Sequence, residues 1–169
     1  GMLEVARELA ACGVHFLAVS KFWEARELRQ AGLGMPILTL LGIEPEEMEG
    51  AITLEVRPAV FRVDHLQLLG EAARRLRVLA PIHVKIDTGM GRLGVPWREA
   101  PSFFDALGAH PELPLAGVLS HFAVADEADK RYSEFQVERF QAILGMLAAR
   151  GFTIPYAHIA NSAGLLDLP

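Results

Sequence analysis

Segments typical of strands and helices alternate along the whole chain, and this rhythm constrains the fold more than any other feature. The strand-like segments are residues 15–20, 36–42, 52–62, 82–87, 114–120 and 154–160. The segments with helical periodicity are residues 3–12, 22–32, 44–50, 64–79, 97–109 and 131–150, with a further helix beginning near Asn161. Such alternation indicates an α/β fold with a parallel sheet, either a βα barrel or a doubly wound open sheet.

The number of strands separates these two architectures only in part. A closed βα barrel has about eight strands and usually 200 or more residues. This chain has 169 residues and six predicted strands. The sheet is therefore expected to be open, or the chain to be a piece of a barrel. The first predicted element is a helix, which favours a barrel with a further strand before it.

The strand at residues 82–87 carries three ionisable side chains. Alternation places His83, Lys85 and Asp87 on one face and the apolar residues Val84 and Ile86 on the other. The apolar face is expected to meet helices and the polar face to line the barrel interior, where unpaired charges are costly. Two interpretations follow: a Lys85–Asp87 ion pair in the interior, or an active site at the carboxyl end of the strand.

The glycine-rich segment at residues 89–94 matches the G-x-G-x-x-G pattern of dinucleotide-binding loops. That loop normally follows the first strand, and the next strand normally ends at a carboxylate. Here the next predicted strand is followed by His121, the first carboxylate is Asp126, and Arg92 lies within the loop. A nicotinamide-dependent oxidoreductase is therefore the least favoured interpretation.

Two other strand ends carry polar residues. His121 directly follows a strand, where the catalytic groups of βα proteins lie, although a single histidine is more often structural. Asn161 and Ser162 lie between the last strand and a helix, and both residue types cap helices. Helix N-termini also bind phosphate, which is compatible with a cap. The histidines without such a placement are expected to be structural or solvated: His15, His65 and His110.

Composition excludes several classes of protein. The net charge of −5 provides no basic surface for nucleic acid, so no nucleic-acid partner is expected. No apolar run approaches the roughly 18 residues of a membrane span, and residues 1–10 do not resemble a signal peptide. The single cysteine, Cys12, excludes an internal disulfide, which fits a cytoplasmic protein. Cys12 is expected to be a small buried residue, and no metal site is predicted.

Several motifs resemble those of bacterial alanine racemases in order and spacing: "FLAVSKFWEARELRQAG", "PILTLLG", "HVKIDTGMGRLGV", "SHFAVADE", "RYSEFQVERF" and "HIANSAG". The resemblance covers essentially the whole chain. It implies a (β/α)8 TIM-type barrel followed by a C-terminal β domain, a homodimer, and pyridoxal 5'-phosphate as cofactor. The implied reaction interconverts L- and D-alanine by removal and return of the α proton, and the cofactor ring takes up the carbanion's charge.

The resemblance also implies roles for individual residues. Lys85 matches a lysine that is carbamylated in the family and holds the arginine matching Arg92. Arg92 is then expected to orient the cofactor's phenolic oxygen and the catalytic tyrosine. Met90 would lie where the loop backbone meets the substrate carboxylate, and His121 would join the hydrogen-bond network of the tyrosine. The residues expected to hold the cofactor phosphate are Ser162 and Asn161.

The chain also departs from the family pattern. The family's cofactor lysine lies in a first-strand segment Lys-Ala-Asn-Ala-Tyr-Gly-His-Gly, and this sequence begins at or after its last glycine. Neither Lys21 nor Lys130 matches that lysine, and neither Tyr132 nor Tyr156 matches the tyrosine base. The eighth strand, with its pyridine-binding arginine, and the C-terminal domain are also absent. Residues 1–169 are therefore predicted to be an incomplete cofactor-binding barrel domain, strands two to seven, that is inactive alone. The alternative is a non-catalytic barrel protein that carries pyridoxal phosphate.

Overall fold

Strands and helices alternate through residues 1–168, the part of the chain that the computed structural model describes. The strands are β1 (Leu17–Val19), β2 (Ile37–Thr39), β3 (Val56–Val60), β4 (Ile82–Asp87), β5 (Val95–Pro96), β6 (Leu115–Leu119) and β7 (Tyr156–His158). The helices are α1 (Met2–Ala11), α2 (Phe22–Gln30), α3 (Met48–Thr53), α4 (Val63–Leu76), α5 (Ala100–Leu107), α6 (Arg131–Ala149) and α7 (Ser162–Asp167). Single 3-10 turns at Pro45–Glu47 and Trp97–Glu99 lead into α3 and α5.

The sheet is parallel and follows the order β1-β2-β3-β4-β6-β7, with the short β5 paired to the end of β4. It curves so strongly that its two edges approach each other. The ring of Phe16, just before β1, lies 5.2 Å from the ring of Tyr156 in β7, measured between centroids. The six strands therefore form part of a βα barrel, as the sequence predicted, and β1 and β7 are the open edges.

The sheet separates two apolar clusters, as the alternation in β4 predicted. Val84 and Ile86 are buried in the main core, which the helices share. On the inner side of the barrel, a small cluster contains Leu38, Ala59 and Leu119. His83 and Lys85 are buried on this inner side too, with 1% and 4% of their surface exposed.

The predicted elements are all present, but several ends differ. Helix α4 stops at Leu76 and not near residue 79, because Arg77 adopts a left-handed conformation with φ 58°. The strand predicted at residues 36–42 is only three residues long. Strand β5 was not predicted, because two residues are too few for a pattern.

The prediction that Cys12 is buried was wrong. Cys12 is exposed at the end of α1. Ala6 is the one buried residue of this helix, and Ala10 in its last turn is only partly buried against the core. His110, which was expected to be structural or solvated, contacts the carboxylate of Glu112, 3.1 Å from Nδ1.

Within residues 1–168, no helix is both long enough and apolar enough to cross a lipid bilayer. Over the same range, no cluster of three or more histidine, cysteine, aspartate or glutamate side chains could hold a metal ion.

Candidate active site

A cavity of about 910 Å³ opens at the carboxyl ends of the strands, the end at which βα barrels carry their active sites. The sequence predicted six site residues. Five of them line this cavity: Lys85, Arg92, His121, Asn161 and Ser162. Met90 does not line it, although it lies in the same glycine-rich loop as Arg92. No aspartate or glutamate is among the lining residues that the structure describes.

Lys85 lies on the inner side of β4 and points towards this cavity. Its Nζ donates a hydrogen bond to the carbonyl oxygen of Leu40, 3.1 Å away. Burial lowers the pKa of Lys85, the nearby charge of Arg92 lowers it further, and Asp87 opposes both effects. Over residues 1–168 there is no Lys85–Asp87 ion pair, so that interpretation was wrong.

The carboxylate of Asp87 instead shapes the glycine-rich loop. It accepts hydrogen bonds from the backbone N–H groups of Gly89 at 2.9 Å and Gly91 at 3.0 Å. Gly94 then passes so close to β4 that a Cβ atom would lie 2.5 Å from the nitrogen of Asp87. The loop leads into β5 and not into an α-helix, so it lacks the helix N-terminus on which a dinucleotide site depends.

The side of the cavity between β4 and β6 is electropositive. The pKa of His121 is lowered by burial and then by the charges of Arg92 and Lys85. Positive groups that lower one another's pKa favour a bound anion, because the anion offsets their repulsion. The arrangement is therefore suited to a ligand with negatively charged oxygens.

Asn161 is the N-cap of α7, as one sequence interpretation proposed. Its Oδ1 accepts a hydrogen bond from the N–H of Gly164 at 2.9 Å. Gly164 lies against Phe122, and a Cβ atom there would be 2.8 Å from the phenyl Cδ2. This contact holds α7 beside the segment after β6, and the exposed Ser162 then faces the cavity.

The remaining lysines and tyrosines lie outside the cavity. Lys21 is the exposed residue before α2, and Lys130 donates from Nζ to the carbonyl oxygen of Ala125 at 2.6 Å. Tyr132 donates to the carbonyl oxygen of Gly89 at 2.7 Å. None of these three side chains lines the cavity, nor does Tyr156 of β7.

The sequence interpretation missed a layer of buried polar residues behind the cavity. Gln136 of α6 is completely buried and bonds to His121 and to Thr88, which follows β4. Thr88 in turn bonds to Ser120 at 2.8 Å. The signal was present in "RYSEFQVERF", where Tyr132, Gln136 and Arg139 are spaced by four and three residues and therefore share one helix face.

Comparisons with known proteins identify the family of the chain. The sequence model of the alanine racemase N-terminal domain matches residues 1–169. The chain belongs to this family. The alanine racemase of Syntrophobacter fumaroxidans is 57% identical over 169 residues, which are all of this chain and 45% of that protein. The alanine racemase of Geobacter sulfurreducens is 42% identical over 174 residues, again over the whole chain and 46% of that protein.

Solved structures of alanine racemases share the fold. The alanine racemase of Clostridium difficile 630, in complex with cycloserine, matches the whole chain with a TM-score of 0.96 and 35% identity. The enzyme from Bacillus anthracis with bound L-Ala-P matches 96% of the chain with a TM-score of 0.85 and 33% identity. These matches cover 47% and 42% of the two solved chains. The chain thus spans less than half the length of the alanine racemases it matches.

Proposed function

We propose that this chain is the central part of the barrel domain of a pyridoxal-phosphate-dependent alanine racemase, strands two to seven of eight. The observation that carries the proposal is the single cavity that joins Lys85, Arg92, His121 and the Asn161–Ser162 segment at the carboxyl ends of the strands. Family membership supports the reaction, and the partial coverage of the relatives supports the incomplete barrel. The substrate is then alanine, and the complete protein is a homodimer of the cytoplasm.

The chemistry of the cavity fits pyridoxal phosphate, which carries a phosphate and a phenolic oxygen. The described lining contains no carboxylate and includes the capped start of α7. Its polar side chains are five that carry nitrogen and three hydroxyls: Lys85, Arg92, His121, His158, Asn161, Ser20, Ser120 and Ser162. When bound, the cofactor supplies an electron-withdrawing ring that takes up the negative charge left by the α proton. The protein must bind the cofactor and the substrate, orient them and move the proton.

Different residues of this chain bind the cofactor and orient it. Ser162 donates its hydroxyl to the phosphate, and Asn161 fixes the first turn of α7 by accepting from Gly164. Arg92 orients the phenolic oxygen. Lys85, carrying a carbamate, holds Arg92 as an anionic partner.

Two further residues act at the edge of the site. His121 joins the hydrogen bonds that position the catalytic base of the complete protein. The backbone of Met90 meets the carboxylate of the substrate, and its side chain is therefore not required in the cavity lining.

The isolated chain is proposed to be inactive. General acid–base catalysis needs a group within hydrogen-bond reach of the proton that it moves. Lys85 is the only lysine in the described lining, it lies inside the barrel on β4, and no tyrosine lines the cavity. The covalent cofactor lysine and the opposite base must therefore come from other segments of a complete protein.

A chimera tests this proposal. Residues 1–169 replace the matching segment of the Syntrophobacter fumaroxidans alanine racemase, and D-alanine formation from L-alanine is measured. We expect turnover by the chimera, none by the isolated chain with added pyridoxal phosphate, and a strong loss in the Arg92→Met chimera. A chimera that binds the cofactor but does not racemise alanine would favour the non-catalytic carrier.

A second measurement checks the position of the site. The isolated chain is incubated with pyridoxal phosphate, reduced with borohydride and digested, and labelled lysines are mapped by mass spectrometry. A stoichiometric adduct on Lys21 or Lys85, together with turnover of L-alanine, would show that the catalytic site is misplaced.

A further inference from the structure

One face of helix α6 contacts the loops that follow β4 and β6. Tyr132, Gln136 and Arg139 lie on this face and are called here the α6 clamp. Tyr132 and Arg139 donate to consecutive carbonyl oxygens of the glycine-rich loop, those of Gly89 and Thr88, both at 2.7 Å. A Cβ atom on Gly89 would lie 2.7 Å from the Tyr132 hydroxyl, so only glycine permits this approach.

The guanidinium group of Arg139 is itself held in place by aromatic rings. It lies 3.7 Å from the centroid of the Phe135 ring and 4.9 Å from that of Trp97. A cation between two aromatic rings is stabilised by their quadrupoles, which favour one orientation of the guanidinium group. The rings therefore hold Arg139 in place on α6, and its hydrogen bond to Thr88 holds the start of the loop against the helix.

Gln136 is the centre of the clamp and has no exposed surface. Its Nε2 donates to the carbonyl oxygen of His121 at 2.9 Å and to Oγ1 of Thr88 at 3.2 Å. Its Oε1 accepts from the N–H of Ala123 at 2.9 Å. Both amide hydrogens and one lone pair are used, so a single orientation of the side chain satisfies all three partners.

This network joins the two loops that carry the candidate site. Thr88 Oγ1 also lies 2.8 Å from Oγ of Ser120, and both residues are buried. A continuous chain of hydrogen bonds thus runs from the end of β6, through Thr88 at the end of β4, to Gln136 and back to His121. No other side-chain hydrogen bond in residues 1–168 connects these two loops.

We propose that Gln136 is a positioning residue that sets the distance of His121 from Arg92 and Lys85, and so the shape of the anion-binding side of the cavity. It touches neither the cavity nor a ligand, and it acts through the backbone of His121 and the hydroxyl of Thr88. The consequence for cofactor binding rests on the function proposed above, whereas the positioning of His121 does not.

Two variants and a matched control test this role in the full 169-residue chain. Gln136→Met keeps the length of the side chain and removes all three hydrogen bonds. Thr88→Val keeps the shape of a buried residue, removes the hydrogen bonds of the Thr88 hydroxyl to Ser120 and Gln136, and leaves the bond from Gln136 to His121 in place. Gln141→Met makes the same chemical change at an exposed position of α6 and serves as the control.

The first readout is the pKa of the His121 imidazole, measured by NMR titration. In the parent chain this pKa is lowered partly by the charges of Arg92 and Lys85. We expect it to rise towards its ordinary value in Gln136→Met, because His121 loses its bond to α6. We expect a rise in Thr88→Val too, because the segment after β6 is then no longer tied to the end of β4. It should stay unchanged in Gln141→Met. A loss of stability without a change in site geometry would not move this pKa.

The second readout is the dissociation constant of pyridoxal phosphate, measured by absorbance titration. We expect it to increase about tenfold in both variants, equivalent to about 1.4 kcal/mol. An unchanged His121 pKa and unchanged binding in folded variants would overturn the proposal. If Gln136→Met does not fold, Thr88→Val decides. If the parent chain binds no pyridoxal phosphate, the proposed cofactor role fails, and the titration of His121 still decides the positioning role.

Discussion

Nζ of Lys85 donates a hydrogen bond to the carbonyl oxygen of Leu40 at 3.1 Å, across the inside of the barrel from β4 to the segment after β2. The bond passes over the intervening strand β3. The amine is buried, and the positive charge of Arg92 disfavours its protonated form. Two cations held together in this way are costly unless an anion separates them.

We predict that Lys85 carries a carbamate in the complete protein. Its lowered pKa increases the fraction of neutral amine, which is the form that attacks carbon dioxide. The ammonium first loses one proton, a nitrogen–carbon bond then forms to carbon dioxide, and a second proton is released from the nitrogen. A cation thus becomes an anion beside Arg92. The remaining N–H can still donate to Leu40. Incubation of the chimera with ¹³C-labelled bicarbonate should give a carbamate carbonyl signal by NMR.

The control for this experiment is Lys85→Arg, which cannot be carbamylated and should remove the signal. Lys130→Arg should leave it unchanged, because Lys130 lies outside the cavity and donates to Ala125. A plain ammonium on Lys85 in the complete, active protein would contradict the prediction.

Two glycines of the same loop should differ sharply in their tolerance of alanine. At Gly94, with φ 136°, a Cβ atom would lie 2.5 Å from the backbone nitrogen of Asp87. At Gly91, with φ 70°, no atom lies within 4 Å. We expect Gly91→Ala to lower the free energy of unfolding by about 1 kcal/mol, the cost of a left-handed residue. Gly94→Ala should cost about 3 kcal/mol, because backbone atoms must also move.

Urea denaturation of the two variants measures both values. Similar costs at the two positions would mean that the loop does not pack on β4 as the structure has it.

The alternation of β4 allowed its two faces to be predicted, because period-two spacing depends only on the strand itself. The strand-end positions of His121 and Asn161 likewise followed from parallel topology, which places all carboxyl ends on one side. The partners of Lys85 and Gln136 could not be predicted in the same way. Lys85 bonds to Leu40, 45 positions away, and Gln136 to Thr88, 48 positions away. Such pairs depend on the curvature of the sheet and the tilt of α6.

Asp87 shows why a plausible pair was wrong. Residues two apart on a strand share a face, so Lys85 and Asp87 could meet on pattern alone. The backbone N–H groups of Gly89 and Gly91 lie closer, and they need an acceptor once the loop turns. The Asp87 carboxylate therefore bonds to these backbone N–H groups and does not pair with the amine of Lys85.

The open edges of the sheet predict self-association of the isolated chain. Within the described residues 1–168, strand β7 pairs only with β6, and all three of its residues are exposed. Unpaired strand edges template contacts with other chains, and lysine on an edge suppresses them. We expect an apparent mass that rises with concentration in light scattering. Ala157→Lys in β7 should reduce this rise, whereas Ala148→Lys at the exposed end of α6 should not.

A monomer at every concentration would contradict that expectation. Equal behaviour of the two lysine variants would place the association elsewhere on the surface.

The barrel interior contains a buried histidine, His83, for which the described residues provide no hydrogen-bond partner. His83 is 1% exposed, and neither ring nitrogen has a partner among the described residues. It lines a cavity of about 250 Å³ with Phe16, Tyr156 and His158. Burial, followed by the charges of His158 and Arg57, lowers the pKa of His83 to about 4. The folded chain therefore holds this imidazole neutral well below its ordinary pKa.

This difference predicts how stability depends on pH. An unfolded histidine binds a proton near pH 6.5, whereas folded His83 does so only near pH 4. The unfolded state therefore binds more protons between these values, and stability should be complete above about pH 6.5 and fall as the pH decreases to about 4. At about 1.36 kcal/mol per pKa unit, the loss is roughly 3 kcal/mol.

Replacement of His83 by phenylalanine should remove most of this pH dependence. The phenyl ring needs no hydrogen bond and can pack against Phe16, whose centroid lies 5.6 Å from that of the imidazole. His15→Gln, at an exposed position, serves as the control and should keep the parent slope. Urea unfolding at a series of pH values between about 4 and 7 measures the effect over the range in which an unfolded histidine titrates. If His83→Phe and the parent chain lose stability equally over this range, the acid sensitivity arises elsewhere, for example from His158, whose pKa burial also lowers.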